Sequence, residues 1–474
     1  MKHIKTDVAI IGAGTAGLTA YRAVKSAGLN AILIEGGPYG TMCARVGCMP
    51  SKLLIAAAEA AHAAAHAAPF GVHIQGNILV NGREVMDRVK RERDRFVGFV
   101  LDSVEQIPAD DKVRGYAKFA SDTVLQVDDH TKIEAKSVVI ATGSTPVVPE
   151  MFKALGQRVI VNDDVFAWDD LPQRVVVVGA GVIGLELGQA LARLGVQTKV
   201  LGRSESLGGL RDPQVKASAL AAFQSEFDLQ LNTHIIATRR IGDEVELCYR
   251  DASGQEHTEH FDYLLIAAGR RPNVDQLGLK NMSRAFDGKG VPDFDAQTLQ
   301  LGSSPIFIAG DVNGDLPILH EAADDGRIAG ENAARFPDVR QARRRAPFSV
   351  VFSEPQLAQV GMHFKELPST GVVIGEVDFA NQGRSRIMLH NRGKLRVYVN
   401  QHDGLFLGAE MAGPRAEHIG HLLAWAVQQQ MTVHTMLEMP FYHPVIEEGV
   451  RTALRQAAAQ LSVTSDSLRW RKSA

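Results

Sequence analysis

The sequence predicts an α/β protein with two Rossmann-like nucleotide-binding domains, each doubly wound in three layers, followed by a C-terminal α+β domain. The first observation is a duplicated pattern, in which a short β-branched run precedes G-x-G-x-x-G and a helix-like stretch. The second is a change near Phe348, after which the apolar runs become short and alternating. The third is length, because 474 residues suffice for about three domains.

The two glycine motifs predict two dinucleotide sites. They follow the apolar runs 8–11 and 175–178, and their glycines are Gly12, Gly14 and Gly17 in the first copy and Gly179, Gly181 and Gly184 in the second. In such a turn the first glycine permits the tight bend, the second lets a pyrophosphate approach the backbone, and the third packs helix against strand. The helix N-terminus then offers free N–H groups to the phosphates. Two Gly-rich turns without a ligand are the alternative, but the strand–turn–helix context in both copies favours nucleotide binding.

The domain boundaries follow from the strands that close each nucleotide unit. Residues 137–143 and 263–269 are similar buried runs that end in small residues and Gly. We therefore assign residues 1–150 to the first nucleotide domain, completed by 281–345, and residues 151–280 to the second. Residues 346–474 form the C-terminal domain.

Composition and charge exclude several classes of protein. The chain is 45% hydrophobic and 22% charged, which is ordinary for a globular protein. Its formal net charge of -3 gives no reason to expect binding to nucleic acid or to a membrane surface. Three cysteines are too few for a secreted disulfide scaffold, and no stretch reaches the roughly 18 apolar residues of a membrane helix. We therefore expect a cytoplasmic protein.

The segment 43–52, with the sequence CARVGCMPSK, is the strongest candidate for chemistry. The C-x4-C spacing of this segment does not fit a zinc site. The other candidate metal ligands, His62 and His66 at i,i+4 in the following stretch, have no third ligand nearby. We therefore expect no metal site. Taken alone, Cys43 and Cys48 could equally be unpaired structural thiols. Their place between a nucleotide unit and a helix N-terminus, which lowers a thiol pKa, favours a pair that moves two electrons through a disulfide.

Together these motifs resemble the pyridine nucleotide–disulfide oxidoreductases, FAD enzymes that include dihydrolipoyl dehydrogenase, glutathione reductase and mercuric reductase. The resemblance covers essentially the whole chain. Besides the glycine motifs and the cysteine segment it rests on Ala141-Thr142-Gly143, Glu186, residues 269–273, 309–311 and 355–361, and His443-Pro444. It implies FAD, NADP(H) or NAD(H), a homodimer with a C-terminal dimerisation domain, and a small dithiol or disulfide substrate.

The resemblance also implies roles for single residues on the cofactor side. The first glycine motif would hold the FAD diphosphate, Glu35 the adenosine ribose, and Asp311 the ribityl and phosphate side. His320 would lie close to the isoalloxazine. Lys52 would lie near flavin N5 and pair with Glu186. Three further positions would contact the nucleotides, namely Thr142, Gly143 and Gly269.

On the substrate side, the resemblance implies that Cys48 lies against the flavin and that Cys43 exchanges with substrate. His443, held by Glu448 five residues later, would be the acid–base partner, because a thiolate must gain or lose a proton near pH 7. Glu447 is a rival for the orienting role. In the family this dyad reaches the disulfide of the other subunit, so the homodimer would have two shared active sites.

Within the family, residues 182–186 and 320–322 look more like dihydrolipoyl dehydrogenase than glutathione reductase. The C-terminus, residues 469–474, lacks the cysteine pair of mercuric reductases. Around the implied substrate-binding site the sequence departs from the usual family residues at Arg45, Phe441 and residues 445–447. Two alternatives therefore stay open, an NADPH-dependent disulfide reductase of the glutathione reductase type and a diaphorase or quinone-reducing flavoprotein.

The expected coenzyme is NADP(H), used at least as well as NAD(H). NAD-specific relatives have Glu at the position of Gly202, where a carboxylate binds the ribose hydroxyls and repels a 2′-phosphate. Here Arg203 follows the glycine, with Arg211 as a further cation. A guanidinium can bind the 2′-phosphate through a bidentate, charge-assisted pair. A turn with an exposed cation is the alternative.

Overall fold

The computed structural model describes residues 1–279, 286–288 and 290–461. Three stretches lie outside the described residues, namely 280–285, 289 and 462–474. The first two fall at the start of the segment 281–345 that was assigned to the first nucleotide domain. The third belongs to the segment 346–474 assigned to the C-terminal domain and includes the residues 469–474 compared above with mercuric reductases. None of the described helices is both long enough and apolar enough for a membrane span.

The regular elements are numbered along the chain. The α-helices are α1 (Thr15–Ser26), α2 (Met42–Val46), α3 (Cys48–Ala65), α4 (Gly82–Glu105), α5 (Asn162–Val165), α6 (Val182–Arg193), α7 (Pro213–Gln224), α8 (Leu319–Arg335), α9 (Gly383–Ile387), α10 (Ala416–Gln428), α11 (Val433–Glu438) and α12 (Glu448–Ala458). The strands are β1 (Lys2–Ile11), β2 (Ala31–Glu35), β3 (Lys112–Arg114), β4 (Ala117–Ser121), β5 (Val124–Val127), β6 (Thr131–Ile140), β7 (Ser144–Pro146), β8 (Val159–Ile160), β9 (Arg174–Val178), β10 (Gln197–Leu201), β11 (Asp228–Gln230), β12 (His234–Ile241), β13 (Glu244–Arg250), β14 (Glu256–Phe261), β15 (Tyr263–Ile266), β16 (Arg270–Pro272), β17 (Ile306–Ile308), β18 (Phe348–Val351), β19 (Gln356–Gly361), β20 (Val372–Asp378), β21 (Lys394–Asn400) and β22 (Phe406–Gly413).

The first nucleotide unit is built on a sheet of order β3-β2-β1-β6-β5-β4, with β17 paired to β6. Strands β1, β2, β3, β6 and β17 run parallel, as connections through helices require. Strand β17 comes from the segment 281–345, so this segment contributes to the same sheet. Helix α8 lies close against α1, since a Cβ added at Gly326 would lie 2.2 Å from the carbonyl oxygen of Ala16.

The second nucleotide unit has a parallel sheet of order β11-β10-β9-β15-β8. An antiparallel sheet, β12-β13-β14, is inserted before β15. The two nucleotide units are linked by a small antiparallel ribbon of β7 and β16. Strands β1 and β9 are buried where they lead into the two glycine turns, because they lie in the middle of parallel sheets covered on both faces.

The C-terminal unit is a five-stranded antiparallel sheet of order β18-β19-β22-β21-β20, against which α10 and α12 pack. The predicted fold class, two Rossmann-like units followed by an α+β domain, is therefore confirmed.

Two fully buried carboxylates join the second nucleotide unit to the C-terminal sheet. Asp212 caps α7 and accepts hydrogen bonds from Arg396, at 2.7 Å, and from the Tyr398 hydroxyl, at 3.0 Å. Glu410 on β22 accepts hydrogen bonds from the backbone N–H groups of Arg211 and Asp212, at 2.7 and 2.8 Å. A buried carboxylate is tolerated only with such partners. These bonds hold the start of α7 in a defined place on the C-terminal sheet.

Candidate active site

The first glycine turn has the geometry that a dinucleotide motif requires. Gly12 has φ +107°, and a Cβ there would lie 2.3 Å from the Ala141 carbonyl oxygen. A Cβ at Gly17 would lie 1.8 Å from the Gly12 oxygen, so only glycine allows α1 to approach the strand. Gly14 is different, because no atom lies within 4 Å of a Cβ built there. Its side faces open space at the N-terminus of α1, where a phosphate could approach the backbone.

The surrounding residues fit an FAD molecule. Glu35 ends β2, and its carboxylate accepts hydrogen bonds from the N–H groups of Ala13, at 2.8 Å, and Gly37, at 2.7 Å. Asp311 follows β17 and accepts a bond from the Ser144 hydroxyl at 2.9 Å. These residues and the glycine turn all lie at the carboxyl ends of parallel strands, the edge at which such sheets bind ligands.

Three further positions belong to the same edge of the sheet. Thr142 and Gly143 follow β6, and Gly143 has φ +68° with no atom within 4 Å of a built Cβ. The Thr142 hydroxyl donates to the carbonyl of Asn273 at 2.7 Å, so this turn is fixed by the link between the two nucleotide units. Nε2 of His320 is buried without a hydrogen-bond partner in the described part of the chain, although it lies 3.7 Å from Oε1 of Glu321. A buried nitrogen without a hydrogen bond suits a bound group that supplies one.

The cysteine pair lies at the start of a long helix. Cys43 is on α2, Cys48 is the first residue of α3, and both are free thiols. The hydrogen bond from the Cys43 thiol lowers the pKa of Cys48 to about 7; partial burial opposes this shift and the charge of Lys52 adds to it. The same hydrogen bond, with burial, raises the pKa of Cys43. The two thiols therefore interact but differ in character, and Cys48 is the one whose thiolate is stabilised.

The lysine one turn into α3 is paired across two domains. Lys52 Nζ lies 2.7 Å from Oε2 of Glu186 on α6, which is buried. The other oxygen, Oε1, accepts a hydrogen bond from the N–H of Phe352 at 2.9 Å, and Lys52 Nζ lies 4.6 Å from the centroid of the Phe352 ring. The glutamate is thus fully engaged, and the ammonium group is held beside the helix that carries Cys48.

Sequence reasoning assigned no role to two residues that hold the cysteine segment. Asn162 on α5 donates a hydrogen bond to the Val46 carbonyl, between the cysteines, at 2.8 Å. Arg270 donates to the Ser144 hydroxyl at 2.8 Å and to the Met42 sulfur at 2.6 Å. Arg270 lies in the segment 269–273, which carries part of the family resemblance, so the sequence could have indicated its role. Nothing in the local sequence distinguishes Asn162.

The predicted acid–base dyad is formed within one chain. His443 Nδ1 lies 2.9 Å from Oε2 of Glu448, the first residue of α12, and Arg451 contacts the other oxygen at 3.0 Å. The hydrogen bond with His443 holds the pKa of Glu448 below its usual value. The His443 side chain is 79% exposed. Among the described residues of the chain, no hydrogen bond or ion pair joins it to Cys43 or Cys48.

The second glycine turn repeats the first. Gly179 has φ +122°, a Cβ at Gly184 would lie 1.8 Å from the Gly179 oxygen, and Gly181 faces open space. Gly269, with φ +110°, also has no atom within 4 Å of a built Cβ.

After β10 the chain has Gly202 at the position where NAD-specific relatives have Glu, and the packing around this glycine leaves little space for a longer side chain. A Cβ at Gly202 would lie 2.7 Å from Cδ2 of Leu231, so this leucine fills the space that a longer side chain would need. Arg203 follows and is exposed. Arg211 is exposed as well, and its backbone N–H is bound to Glu410.

The remaining candidate residues lie apart from this arrangement. The His62 and His66 rings stack with their centroids 4.0 Å apart, and no group of three or more possible metal ligands occurs among the described residues. Cys248 is a half-buried free thiol on β13 in the inserted sheet.

Two dinucleotide folds, a thiol pair at a helix N-terminus and a lysine–glutamate pair beside it define a two-electron oxidoreductase of the flavoprotein disulfide type. The chain belongs to the pyridine nucleotide-disulphide oxidoreductases: the family model matches residues 6–326, and that of the family's dimerisation domain matches residues 347–454. It is thus an oxidoreductase that acts on sulfur groups with FAD and a nicotinamide coenzyme, and the dimerisation domain supports a homodimer.

Similar proteins cover the chain almost from end to end. The dihydrolipoyl dehydrogenase of Bacillus subtilis (strain 168) is 29% identical over 470 residues, covering 98% of this chain and 97% of that protein. That of Geobacillus stearothermophilus is 28% identical over 454 residues, covering 94% of each. The Cu(II) complex of RclA, an HOCl-induced flavoprotein disulfide reductase of Escherichia coli, superposes with a TM-score of 0.79 at 23% identity, covering 95% and 99%. This last likeness concerns the fold alone.

Proposed function

We propose that the protein is a dihydrolipoyl dehydrogenase-like enzyme, which oxidises a small dithiol of the dihydrolipoamide type and reduces NAD(P)+. One observation carries the proposal. The Cys43 and Cys48 thiols interact at the N-terminus of α3, with the pKa of Cys48 lowered to about 7 beside the Lys52–Glu186 pair. The full-length similarity to dihydrolipoyl dehydrogenases supports the choice of substrate class.

The chemistry follows from the different character of the two thiols. When Cys43 and Cys48 form a disulfide, a substrate thiolate attacks the sulfur of Cys43 and the sulfur of Cys48 leaves as a thiolate. A leaving thiol with a pKa near 7 makes this step fast. The second substrate thiol then attacks the mixed disulfide, which releases the oxidised substrate and restores the Cys43 thiol. The Cys43 and Cys48 thiols would then be reoxidised as their disulfide bond re-forms, and FAD, when bound, would supply the redox chemistry that carries their electron pair to NAD(P)+.

The dyad of His443 and Glu448 would move the substrate proton. His443 would accept the proton of the attacking thiol, and the Glu448 carboxylate fixes the ring by its bond to Nδ1, which leaves Nε2 free for the substrate. Because His443 is 79% exposed, its ring is open to a second subunit. We therefore propose that each active site combines the cysteines of one subunit with the dyad of the other.

For the coenzyme we propose a preference for NADP(H). A carboxylate at Gly202 would repel a 2′-phosphate, and Leu231 fills the space that such a side chain would need. The exposed guanidinium of Arg203 follows directly and can form charge-assisted bonds with a phosphate.

A second candidate is an NADPH-dependent reductase of a low-molecular-weight disulfide. The same features at Gly202 and Arg203 favour it, because reductive enzymes commonly draw electrons from NADPH. Arg45, Phe441 and residues 445–447 also depart from the lipoamide-type pattern. A diaphorase or quinone reductase is the third class, and it would not need the cysteine pair.

One set of steady-state assays separates these candidates. The purified FAD-loaded protein is tested with lipoamide, dihydrolipoamide, glutathione disulfide and quinones, each with both coenzymes. We expect the highest kcat/KM for the dihydrolipoamide couple, a loss of that activity in Cys43→Ser, and no change in the control Cys248→Ser. Quinone reduction alone, unaffected by Cys43→Ser, would contradict the proposed function.

The same assay tests the coenzyme. We expect kcat/KM to be higher for NADP(H) than for NAD(H) and the preference to fall in Arg203→Ala. A tenfold or greater preference for NAD(H), about 1.4 kcal/mol, that Arg203→Ala leaves unchanged would exclude the assignment.

A further inference from the structure

A cavity lies at the opposite end of α8 from His320. We propose that the cavity between the C-terminal half of α8 and the segment 338–343 binds a soluble polyphosphate anion. This site is separate from both glycine turns and does not depend on the function proposed above.

The cavity has a volume of about 260 Å³ and an open mouth. Four arginines from two parts of the chain surround it, together with one carboxylate and one buried amide; these residues are Arg327, Glu331, Asn332, Arg335, Arg340 and Arg343. A volume of this size admits several non-hydrogen atoms, and its polar walls suit an anion rather than an apolar ligand.

The charges around the cavity do not balance. Arg327 contacts Glu331 at 3.2 Å, and Arg340 contacts Asp338 at 2.8 Å. Arg327 also lies 4.0 Å from Asp324, whereas Arg335 and Arg343 form no ion pair within the described part of the chain. The two neighbouring arginines of the same segment have their own carboxylate partners, since Arg344 contacts Asp325 and Glu321, and Arg345 contacts Asp324. The guanidinium groups of Arg335 and Arg343 thus have no carboxylate partner among the described residues, and like charges held close together repel each other unless an anion binds.

The cavity wall is fixed before any ligand binds. Asn332 is buried, and its side chain donates to the carbonyl of Arg340 at 2.9 Å and accepts from the N–H of the same residue at 3.0 Å. Arg343 is tied to the carbonyl of Gln428 at the end of α10, at 2.8 Å. The segment that carries the arginines is thus held against both α8 and the C-terminal unit. A preformed site loses less conformational entropy on binding.

The chemistry of the side chains points to phosphate groups. Guanidinium groups bind phosphate oxygens through paired, charge-assisted hydrogen bonds, and several of them can share one polyphosphate chain. An anion with at least two negative charges would match the unpaired charges of the cavity.

Isothermal titration calorimetry of the FAD-loaded protein with sodium tripolyphosphate tests the proposal. The titration is run at constant ionic strength, first without and then with saturating NADP+, which would occupy the second glycine turn. We expect one binding event per chain and a loss of roughly tenfold or more in affinity for the double variant Arg335→Glu/Arg340→Glu. The control Arg91→Glu, a charge reversal on the exposed side of α4, should bind as the wild type does.

Several results would overturn the assignment. These are the absence of binding, equal binding by the double variant with unchanged Tm and FAD content, and citrate binding as tight as that of tripolyphosphate. Disappearance of the heat when NADP+ is added would place the anion in the nucleotide site instead. Recruitment of the protein to phosphatidylcholine vesicles only when they contain phosphatidic acid would assign the phosphate to a lipid headgroup and contradict a soluble ligand.

Discussion

At the level of single residues, the site depends on the different pKa values of two neighbouring thiols, Cys43 and Cys48. The hydrogen bond from Cys43 is the largest influence that stabilises the Cys48 thiolate, and the charge of Lys52 acts in the same direction. Partial burial opposes both, yet the pKa still falls to about 7. Lys52 is itself held by Glu186, so its charge is fixed near the start of α3. The result is one thiol suited to leave as a thiolate and one suited to exchange.

Removal of the Cys43 hydrogen bond should therefore raise the pKa of Cys48. The measurement is the rate of Cys48 alkylation by iodoacetamide against pH in the reduced protein, followed by mass spectrometry. Below its pKa the thiol is mostly protonated and reacts slowly, so the wild-type rate should rise with pH through a midpoint at about 7 and level off at higher pH. In Cys43→Ala the midpoint should move to higher pH. Cys43→Ser, which keeps a hydroxyl donor, should lie between the two, and identical midpoints in all three proteins would contradict this account.

At the scale of the secondary-structure elements, the three glycines of each turn have separate physical tasks. Gly12 provides a positive φ, Gly17 provides close helix–strand packing, and Gly14 leaves open space at the N-terminus of α1. The first two are requirements of the fold, whereas the third is a requirement of the ligand.

These tasks predict different outcomes for two alanine substitutions in the same turn. Gly17→Ala would place a Cβ 1.8 Å from the Gly12 oxygen, so we expect loss of the folded first domain and of soluble protein. Gly14→Ala has open space and φ -76°, so the chain should fold with nearly unchanged circular dichroism but bind FAD much more weakly. Thermal unfolding and the flavin absorbance of the purified proteins give both readouts. Full FAD content in Gly14→Ala would argue against a pyrophosphate at this turn.

At the scale of the whole molecule, two arrangements link the domains. Asp212 and Glu410 fix the second nucleotide unit on the C-terminal sheet from within one chain. His443, by contrast, projects from the C-terminal unit and is 79% exposed. The dimerisation domain supplies the surface that could bring this residue to the cysteines of a second subunit.

Mixed dimers test whether the active site is shared between subunits. Cys43→Ser and His443→Ala should each lower disulfide turnover, the second by about 10²-fold, the usual scale for a positioned acid–base group. A heterodimer of the two variants retains one intact site only if cysteines and histidine come from different subunits. Co-expression should then restore about a quarter of the wild-type activity, because half of randomly formed dimers are mixed and each has one working site.

The matched control is Glu447→Gln, which changes the neighbouring carboxylate and should leave turnover unchanged, since Glu448 forms the bond to His443. Mixed dimers no more active than the two parents would place the cysteines and the acid–base group in the same chain.

The sequence by itself determined the local features of this protein. The glycine turns and the cysteine pair at the start of α3 are each set by residues within a few positions of one another, and local geometry links such patterns to structure. The pairing of His443 with Glu448, by contrast, followed from the family resemblance. Only the tertiary structure decided the contacts between distant segments. Asn162 holds the cysteine segment from 116 positions away, Leu231 fills the space beside Gly202, and the arginines of the α8 cavity are brought together by the buried Asn332. Such contacts depend on how the sheets and helices pack, and packing is not encoded in any single stretch of sequence.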